Sequence, residues 1–416
     1  MILLRLPARA ASVEIGRAEE KPIAAVRRIE SIDLLRGAVM ILMALDHVRD
    51  YLHFDSLIFS PTDLGRTTPA LFATRLITHL CAPTFILLAG ASAHFVAQRK
   101  TLRETSIFLL TRGAWLVFLQ MTVVRFAWNF DPKFHYNSSN IISTIGFSMM
   151  ALAALIHLRP RTLLIFGLAM VIGHNALDGV SFAQGSAADV VWSFLHVRKM
   201  YRMANGRSFL FLYPLVPWVG VMALGFCLGR IYQADWTSER RRRLLSRIGG
   251  GGLLAFFVLR WLNLYGDPSP WSHQPRFSTT ILSFLNVEKY PPSLMYVCLT
   301  LGVSLFLLGI LDGRSLKGWR PIAVFGKVAL FYYVLHIFAV HAVALLAVVS
   351  SGYPWRTMVF SGSQTVPAPE LMGKFGFSLA ETYAIWAGII VLLYPLCARW
   401  NSFKARHKGA WWVSYV

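Results

Sequence analysis

The chain has 416 residues, of which 56% are hydrophobic, 13% aromatic and only 15% charged; with a mean hydropathy of +0.52, this excludes an ordinary soluble domain and indicates a polytopic membrane protein. The formal net charge of +21 does not indicate a nucleic-acid binder, because Lys and Arg sit in short clusters between apolar segments rather than on one basic face. Cys81, Cys227, Cys298 and Cys397 are scattered one per apolar segment with no CxxC spacing, which argues against a disulfide framework or a zinc site.

Residues 1–28 hold too short an apolar run for a signal peptide and too many charges to span a bilayer, so they read as a cytoplasmic tail. Ten apolar windows of spanning length follow, near 32–53, 70–97, 105–127, 140–157, 161–180, 208–232, 244–264, 290–311, 322–350 and 379–398. They predict an all-α, polytopic integral membrane protein with about ten transmembrane helices around a polar channel, a transmembrane domain over 29–400 and a cytoplasmic tail over 401–416. With the N-terminus inside, the inner segments hold the larger share of the 41 Lys and Arg, so both termini are expected in the cytoplasm. The outer connections after spans 1, 5, 7 and 9 are longer and rich in Gly, Pro, Trp and Ser, as in YGDPSPWSHQPRFS (265–278). Such loops either cover a site or merely connect spans over the surface.

The first span, IDLLRGAVMILMALDHVRDYLH (32–53), carries charge at both ends. Eleven steps of about 100° bring Arg36 and His47 onto nearly one face, roughly 16 Å apart along the axis, with Met40 and Met43 between them. An unpaired charge inside a span costs about 2.5 kcal/mol or more, so an Arg and a His on one stripe indicate a lined cavity. The other reading has Arg36 snorkelling to the inner surface while His47 marks only the outer end of the span.

This topology fixes the depth of the other polar residues. Asp46, His47, Arg49, Asp50 and His53 end span 1, and Arg75 and His79 lie one helical turn apart in the outer part of span 2. His174, Asn175 and Asp178 close span 5, with His174 and Asp178 at the i,i+4 spacing of a hydrogen-bonded pair. Arg260 ends span 7; Asn286, Lys289 and Tyr290 open span 8; His341 falls in the outer half of span 9, with His336 deeper. Titratable groups from six spans thus collect at one depth, whereas Arg36 and Lys327 sit toward the inner face. For His336 and His157 the plain reading is a helix-to-helix hydrogen bond. Arg75 and Arg260 read equally as structural ion pairs or substrate contacts, and the ligand pattern gives no metal site.

RIESIDLLRGAVMILMALDH (28–47) followed by THLCAPTFILLAGAS (78–92) resembles the opening of the heparan-α-glucosaminide N-acetyltransferase catalytic domain and its bacterial relatives. The Arg36-to-His47 spacing also resembles the Arg-x10-His signature of the membrane acyltransferase-3 group. Further matches to the bacterial branch are HNALD (174–178), YPLVPWVGVMALG (213–225), NLYGDPSPW (263–271), SFLNVEKYPPS (283–293), FGKVALFYYVLH (325–336) and the closing WWVSYV. The resemblance implies an enzyme of the bacterial inner membrane that takes an acyl group, acetyl in the named family, from cytoplasmic acyl-CoA and passes it to an extracytoplasmic sugar or glycan. It implies that Arg36, with Lys327 at the same depth, holds the CoA and that His47 is the base. The lysosomal members share the DxxRG opening but have Asn where His47 stands and Asp where His79 stands. They carry their active His in the following segment, which makes His53 its counterpart here. These departures weigh against heparan as acceptor.

A neutral His can take a proton from an attacking hydroxyl or amine, and a carboxylate can fix its tautomer. Asp46 points about 100° away from its neighbour His47, so Asp50 or a residue on another span is the expected orienting partner. Asp50, His53 and His79 join His47 as candidate catalytic residues. Asp46, Arg75, His174, Asn175, Asp178, Arg260, Asn286, Lys289, Tyr290 and His341 are the candidate acceptor contacts. The competing expectation is a proton-coupled transporter using the His and Asp residues as a relay; the lack of an evident internal repeat and the inward-facing Arg36 weigh against it.

Overall fold

The computed structural model describes residues 29–314, 317–361, 368–407 and 409–415. The expected tail over 1–28 lies outside the described residues, as do Lys408 and Val416 of the expected C-terminal tail.

Helix α1 (Glu30–Leu52) is the hub of the molecule. Most of its 23 residues are buried, although Glu30, Asp33, Arg36, Asp46, Arg49 and Asp50 are ionisable. Next come α2 (Pro69–Thr78) and α3 (Cys81–Ala97), which together form one broken span. Pro83 has no N–H to offer the carbonyl four residues back, that of His79, and the helix parts at His79–Leu80. The His79 carbonyl accepts instead from the Tyr296 hydroxyl at 2.9 Å. A Thr101–Glu104 capping box starts α4 (Leu102–Leu119), which runs through a π-helical turn at Gln120–Val124 into α5 (Arg125–Asn129).

The remaining helices are α6 (Ile141–Leu155), α7 (Pro160–Gly173), α8 (Ala187–Leu195), α9 (Val216–Gly229), α10 (Ser238–Leu262), α11 (Phe277–Leu285), α12 (Leu294–Leu311), α13 (Arg320–Lys327), α14 (Ala329–Ser350) and α15 (Leu379–Arg406). Three short strands, β1 (Tyr136–Ser139), β2 (Lys199–Arg202) and β3 (Ser208–Phe211), form a small sheet in the order β1-β3-β2, with β3 parallel to β1 and antiparallel to β2. Asp189 on α8 anchors this sheet by accepting from Lys199 at 2.8 Å and from the Tyr201 hydroxyl at 2.9 Å. The Lys199 hydrogen bond holds the Asp189 carboxyl below its usual range, and the same bond raises Lys199.

Among the described residues, seven helical stretches are long and apolar enough to cross a membrane: 69–97, 102–129, 160–177, 238–262, 294–311, 329–350 and 379–406. Ile141–Leu155 and Val216–Tyr232 are shorter apolar helices. The protein is an all-α polytopic membrane protein, but ten full spans are not established. The window at 32–53 is too charged to meet that standard, and the windows at 140–157 and 208–232 hold helices too short for it. In the latter, Ser208–Phe211 is spent on β3 and the helix starts only at Val216, with Pro217 in its first turn. The window at 322–350 breaks at Val328 into α13 and α14.

Glycines set the tightest contact at the hub. A Cβ on Gly37 would lie 2.0 Å from the Ile322 carbonyl oxygen, and one on Gly326 would lie 2.0 Å from that of Asp33, so α1 and α13 touch backbone to backbone. Gly37 follows Arg36 and Gly326 precedes Lys327, so this crossing carries both cations to one place.

Candidate active site

A cavity of about 380 Å³ opens beside the first half of α1. Arg36, Arg112, Lys327 and Lys404 reach it from α1, α4, α13 and α15, while Met40, Met43, Phe85, Leu116 and Tyr333 supply apolar wall. Arg36 is fixed there by donating to the Ser92 hydroxyl at 2.9 Å and to the Gly326 carbonyl at 3.4 Å, and it lies 3.5 Å from Asp33. Four cations on one largely apolar cavity suit a ligand that combines phosphates with an apolar or amphipathic arm. Arg112 and Lys404 are not among the residues singled out in the sequence. Their signal was a lone Arg within a span and a basic cluster at a span end, and neither reveals that α4 and α15 share a cavity.

Beyond Tyr333 lies a group of rings. The Tyr333 and His336 rings are 5.6 Å apart, His336 stacks on His47 at 5.3 Å, and Trp128 meets His47 edge-on at 4.5 Å. His336 Nδ1 lies 2.9 Å from the Tyr332 carbonyl, to which it can only donate, so Nε2 is the nitrogen that carries the lone pair. That Nε2 and both His47 nitrogens are buried without a hydrogen-bond partner among the described residues. Buried imidazole nitrogens left in this state are costly and call for a partner, either water or a polar group of a ligand.

Asp46, adjacent to His47 in the chain, is the centre of an ion cluster. The Asp46 oxygens accept from Arg75 at 2.7 and 2.8 Å, from the Thr78 hydroxyl at 2.7 Å and from Arg49 at 2.7 Å. Arg49, 1% exposed, also reaches Asp50 at 2.5 Å. Asp50, expected to orient His47, therefore serves Arg49. Asp46, His47 and Asp50 do bring potential ligand atoms within 4.8 Å of one another. The two guanidiniums already held by these carboxylates oppose a metal cation there. Sequence reasoning left Arg49 and Thr78 out of the site, although the i,i+3 spacing of Asp46 and Arg49 was a readable signal. Lys289, 7% exposed, has its ammonium 5.2 Å from the Tyr290 ring, and the Tyr290 and Tyr213 hydroxyls lie 3.3 Å apart. His79 is buried against Tyr296, with ring centroids 5.3 Å apart, and its Nδ1 has no partner among the described residues.

Several other sequence candidates are held by fold-building contacts away from the His47–His336 pair. His53 closes α1, with its Nδ1 3.3 Å from the Ser56 amide. His174 does not pair with Asp178: its nitrogens face the Val171 and Pro292 carbonyls at 2.9 and 2.7 Å, while Asp178 lies 2.9 Å from His196 Nε2 and accepts from Asn175. The Asn175 side-chain oxygen takes up the Leu294 amide at the start of α12. Arg260 donates to the carbonyls of Ser269, Ser283, Phe284 and Asn286, tying down the loop after α10, and Asn286 reaches the Thr62 carbonyl. His341 sits between the Ala127 and Met358 carbonyls and stacks on Phe130 at 3.7 Å. The side chains of His174, Arg260 and His341 are thus spent on neighbouring backbone. The expected single outer cluster from six spans resolves into a catalytic candidate group around α1 and separate struts.

An all-α membrane protein with a basic cavity close to buried histidines that lack hydrogen-bond partners among the described residues has the layout of a membrane-embedded group-transfer enzyme. Residues 28–261, more than half of the chain, match the family described as Heparan-alpha-glucosaminide N-acetyltransferase, catalytic, and the chain belongs to that family. A comparison with curated proteins finds no match. Family membership makes the protein a membrane transferase.

Proposed function

We propose that this protein transfers an acetyl group from cytoplasmic acetyl-CoA to a sugar or glycan on the far side of a bacterial inner membrane, with both termini in the cytoplasm. The carrying observation is the cavity that runs from Arg36, Arg112, Lys327 and Lys404 to Tyr333, next to the His336–His47 stack. The four cations bind the CoA phosphates, and the apolar wall formed by Met40, Met43 and Phe85 receives the pantetheine arm. His47 takes the proton as the acceptor amine or hydroxyl attacks the thioester carbonyl. The new C–N or C–O bond forms, the C–S bond breaks, and CoA leaves as the thiol after protonation. His336, with its tautomer fixed by Tyr332, is the second ring on the proton path. Asp46, Arg49, Asp50 and Arg75 form a neutralised wall, while His79, Lys289 and Tyr290 line the approach of the acceptor.

A proton-coupled transporter would use His47, His79 and His174 as a relay. His174 is tied to two backbone carbonyls, which favours the enzyme reading. Thermal unfolding of the purified protein with CoA tests the assignment, because a ligand at about 100 times its Kd stabilises by about 2.7 kcal/mol. Stabilisation by CoA that is lost in Lys327→Gln supports the reading, and the absence of any stabilisation removes it.

A further inference from the structure

Helix α10 carries a glycine run, Gly249–Gly252, and an arginine run, Arg240–Arg243, and neither belongs to the cavity described above. Packing explains two of the four glycines and one of the four arginines. A Cβ on Gly249 would lie 2.6 Å from the Phe306 amide nitrogen, and Gly252 lies against Gly302, so these two let α10 approach α12. Arg241 binds Asp312 at 2.8 Å and the Trp236 carbonyl at 2.8 Å. The rest is not explained by packing. A Cβ on Gly250 or Gly251 would meet nothing within 4 Å. Arg240, Arg243 and Arg247 are exposed and, with Trp236 and Leu244, line a surface pocket of about 510 Å³.

At about 100° per residue, Arg240, Arg243, Arg247, Gly251, Leu254, Val258 and Trp261 fall on one stripe of α10. Its lower part is bare apolar surface: Leu254 is 64% and Trp261 71% exposed, on the side opposite the buried Leu245, Gly249 and Phe256. A face of this kind within a span meets lipid chains. From Arg247, Gly251 lies about 6 Å, Leu254 about 10 Å and Val258 about 16 Å along the axis, so the stripe crosses one leaflet of a hydrocarbon core about 30 Å thick. At its head stand three guanidiniums and one carboxylate, Glu239, which is ion-paired to Arg243. The Arg240 guanidinium is stacked 4.0 Å over the Trp236 ring, at the level where aromatic residues anchor to the membrane interface.

We propose that this stripe is a specific site for an anionic phospholipid of the cytoplasmic leaflet. Arg240, Arg243 and Arg247 hold the headgroup phosphate, and one acyl chain lies in the notch left by Gly250 and Gly251 and runs along Leu254 and Val258. Two features together select the ligand. Net positive charge at the pocket favours a headgroup with net negative charge over a zwitterionic one, and the missing side chains at the upper part of an otherwise apolar stripe make room for a chain directly below the phosphate. A free phosphate compound would use the pocket but not the notch, and a second copy of this chain would use the notch but bring its own arginines against these. The site is separate from the acyl-transfer cavity, and the proposal stands or falls without it.

The test is native mass spectrometry of the full-length protein, delipidated and then titrated with phosphatidylglycerol or phosphatidylcholine of the same chains. The wild type is expected to retain phosphatidylglycerol at least fivefold more tightly. The preference should fall below twofold in R240Q/R243Q/R247Q, and Gly251→Leu should weaken phosphatidylglycerol retention at least threefold with all arginines in place. The single variant Arg247→Gln, expected to lose part of the preference, serves if the triple variant does not purify as a folded species. Equal retention of the two lipids by the wild type, or an unchanged preference in the arginine variants, overturns the proposal. So does a Gly251→Leu protein that keeps its lipid but loses a wild-type dimer, which would assign the notch to a second copy.

Discussion

His47 and His336 are neighbours through stacking rather than hydrogen bonding, with three of their four ring nitrogens lacking a partner among the described residues. A general base is typically worth a hundredfold to ten-thousandfold, or about 3–5 kcal/mol of barrier. His47→Asn is therefore expected to express and to bind CoA as the wild type does, but to lose acetyl transfer by about that factor; single-turnover transfer and CoA-dependent melting measure the two separately. Near-normal transfer by His47→Asn, with loss in His79→Ala, would move the chemistry to the α2–α3 break. Arg36→Lys keeps a charge but not the fork that reaches both Ser92 and Gly326, so CoA affinity should drop about tenfold with little change in unliganded stability. Part of this scale was legible: the stripe of Arg36, Met40 and Met43 that helical spacing predicts is on the wall of the cavity. What was not legible was partner choice. Asp50 turns to the adjacent Arg49 and Asp178 to His196, choices set by local side-chain geometry, whereas His174 and His341 turn to the Pro292 and Ala127 carbonyls, which arrive from segments more than a hundred residues away.

The elements differ from the hydropathy windows mainly at prolines and glycines. Pro83 parts α2 from α3, Pro217 in the first turn of α9 sits where that helix begins, and Pro291 and Pro292 delay α12 to Leu294. A hydropathy average passes over each of these residues. The repair at the first break is specific: Tyr296→Phe removes the donor to the His79 carbonyl and is expected to lower stability by about 1–3 kcal/mol, the usual cost of an unsatisfied buried acceptor, measurable as a lower melting temperature. The α1–α13 crossing is less tolerant. Gly37→Ala would place a methyl 2.0 Å from the Ile322 carbonyl oxygen, so the helices must part. The expected result is destabilisation of about 1–3 kcal/mol or more, together with weaker CoA binding, because Arg36 and Lys327 separate. Wild-type CoA affinity in a folded Gly37→Ala protein would show that the crossing does not set the cavity.

At the scale of the whole molecule, the all-α membrane character and the family were both legible, since composition carries the first and the motifs of the first span carry the second. The number of full spans was not, because α1 buys its central position with charges that lower its hydropathy, while α6 and α9 are shorter than a bilayer is thick. Topology is tested by cysteine labelling in sealed cells: Ala234→Cys should react only after permeabilisation and Ser181→Cys from outside, and the reverse pattern would invert every depth assigned here. The central claim is that the basic cavity and the histidine pair form one path for an acetyl group. The most direct measurement incubates the purified protein with acetyl-labelled acetyl-CoA and a cell-envelope glycan fraction, comparing the wild type with His47→Asn and Lys327→Gln. The account predicts transfer of label by the wild type, none by His47→Asn despite retained CoA binding, and a raised KM for acetyl-CoA in Lys327→Gln. Transfer that persists in His47→Asn, or a KM untouched by Lys327→Gln, would contradict it.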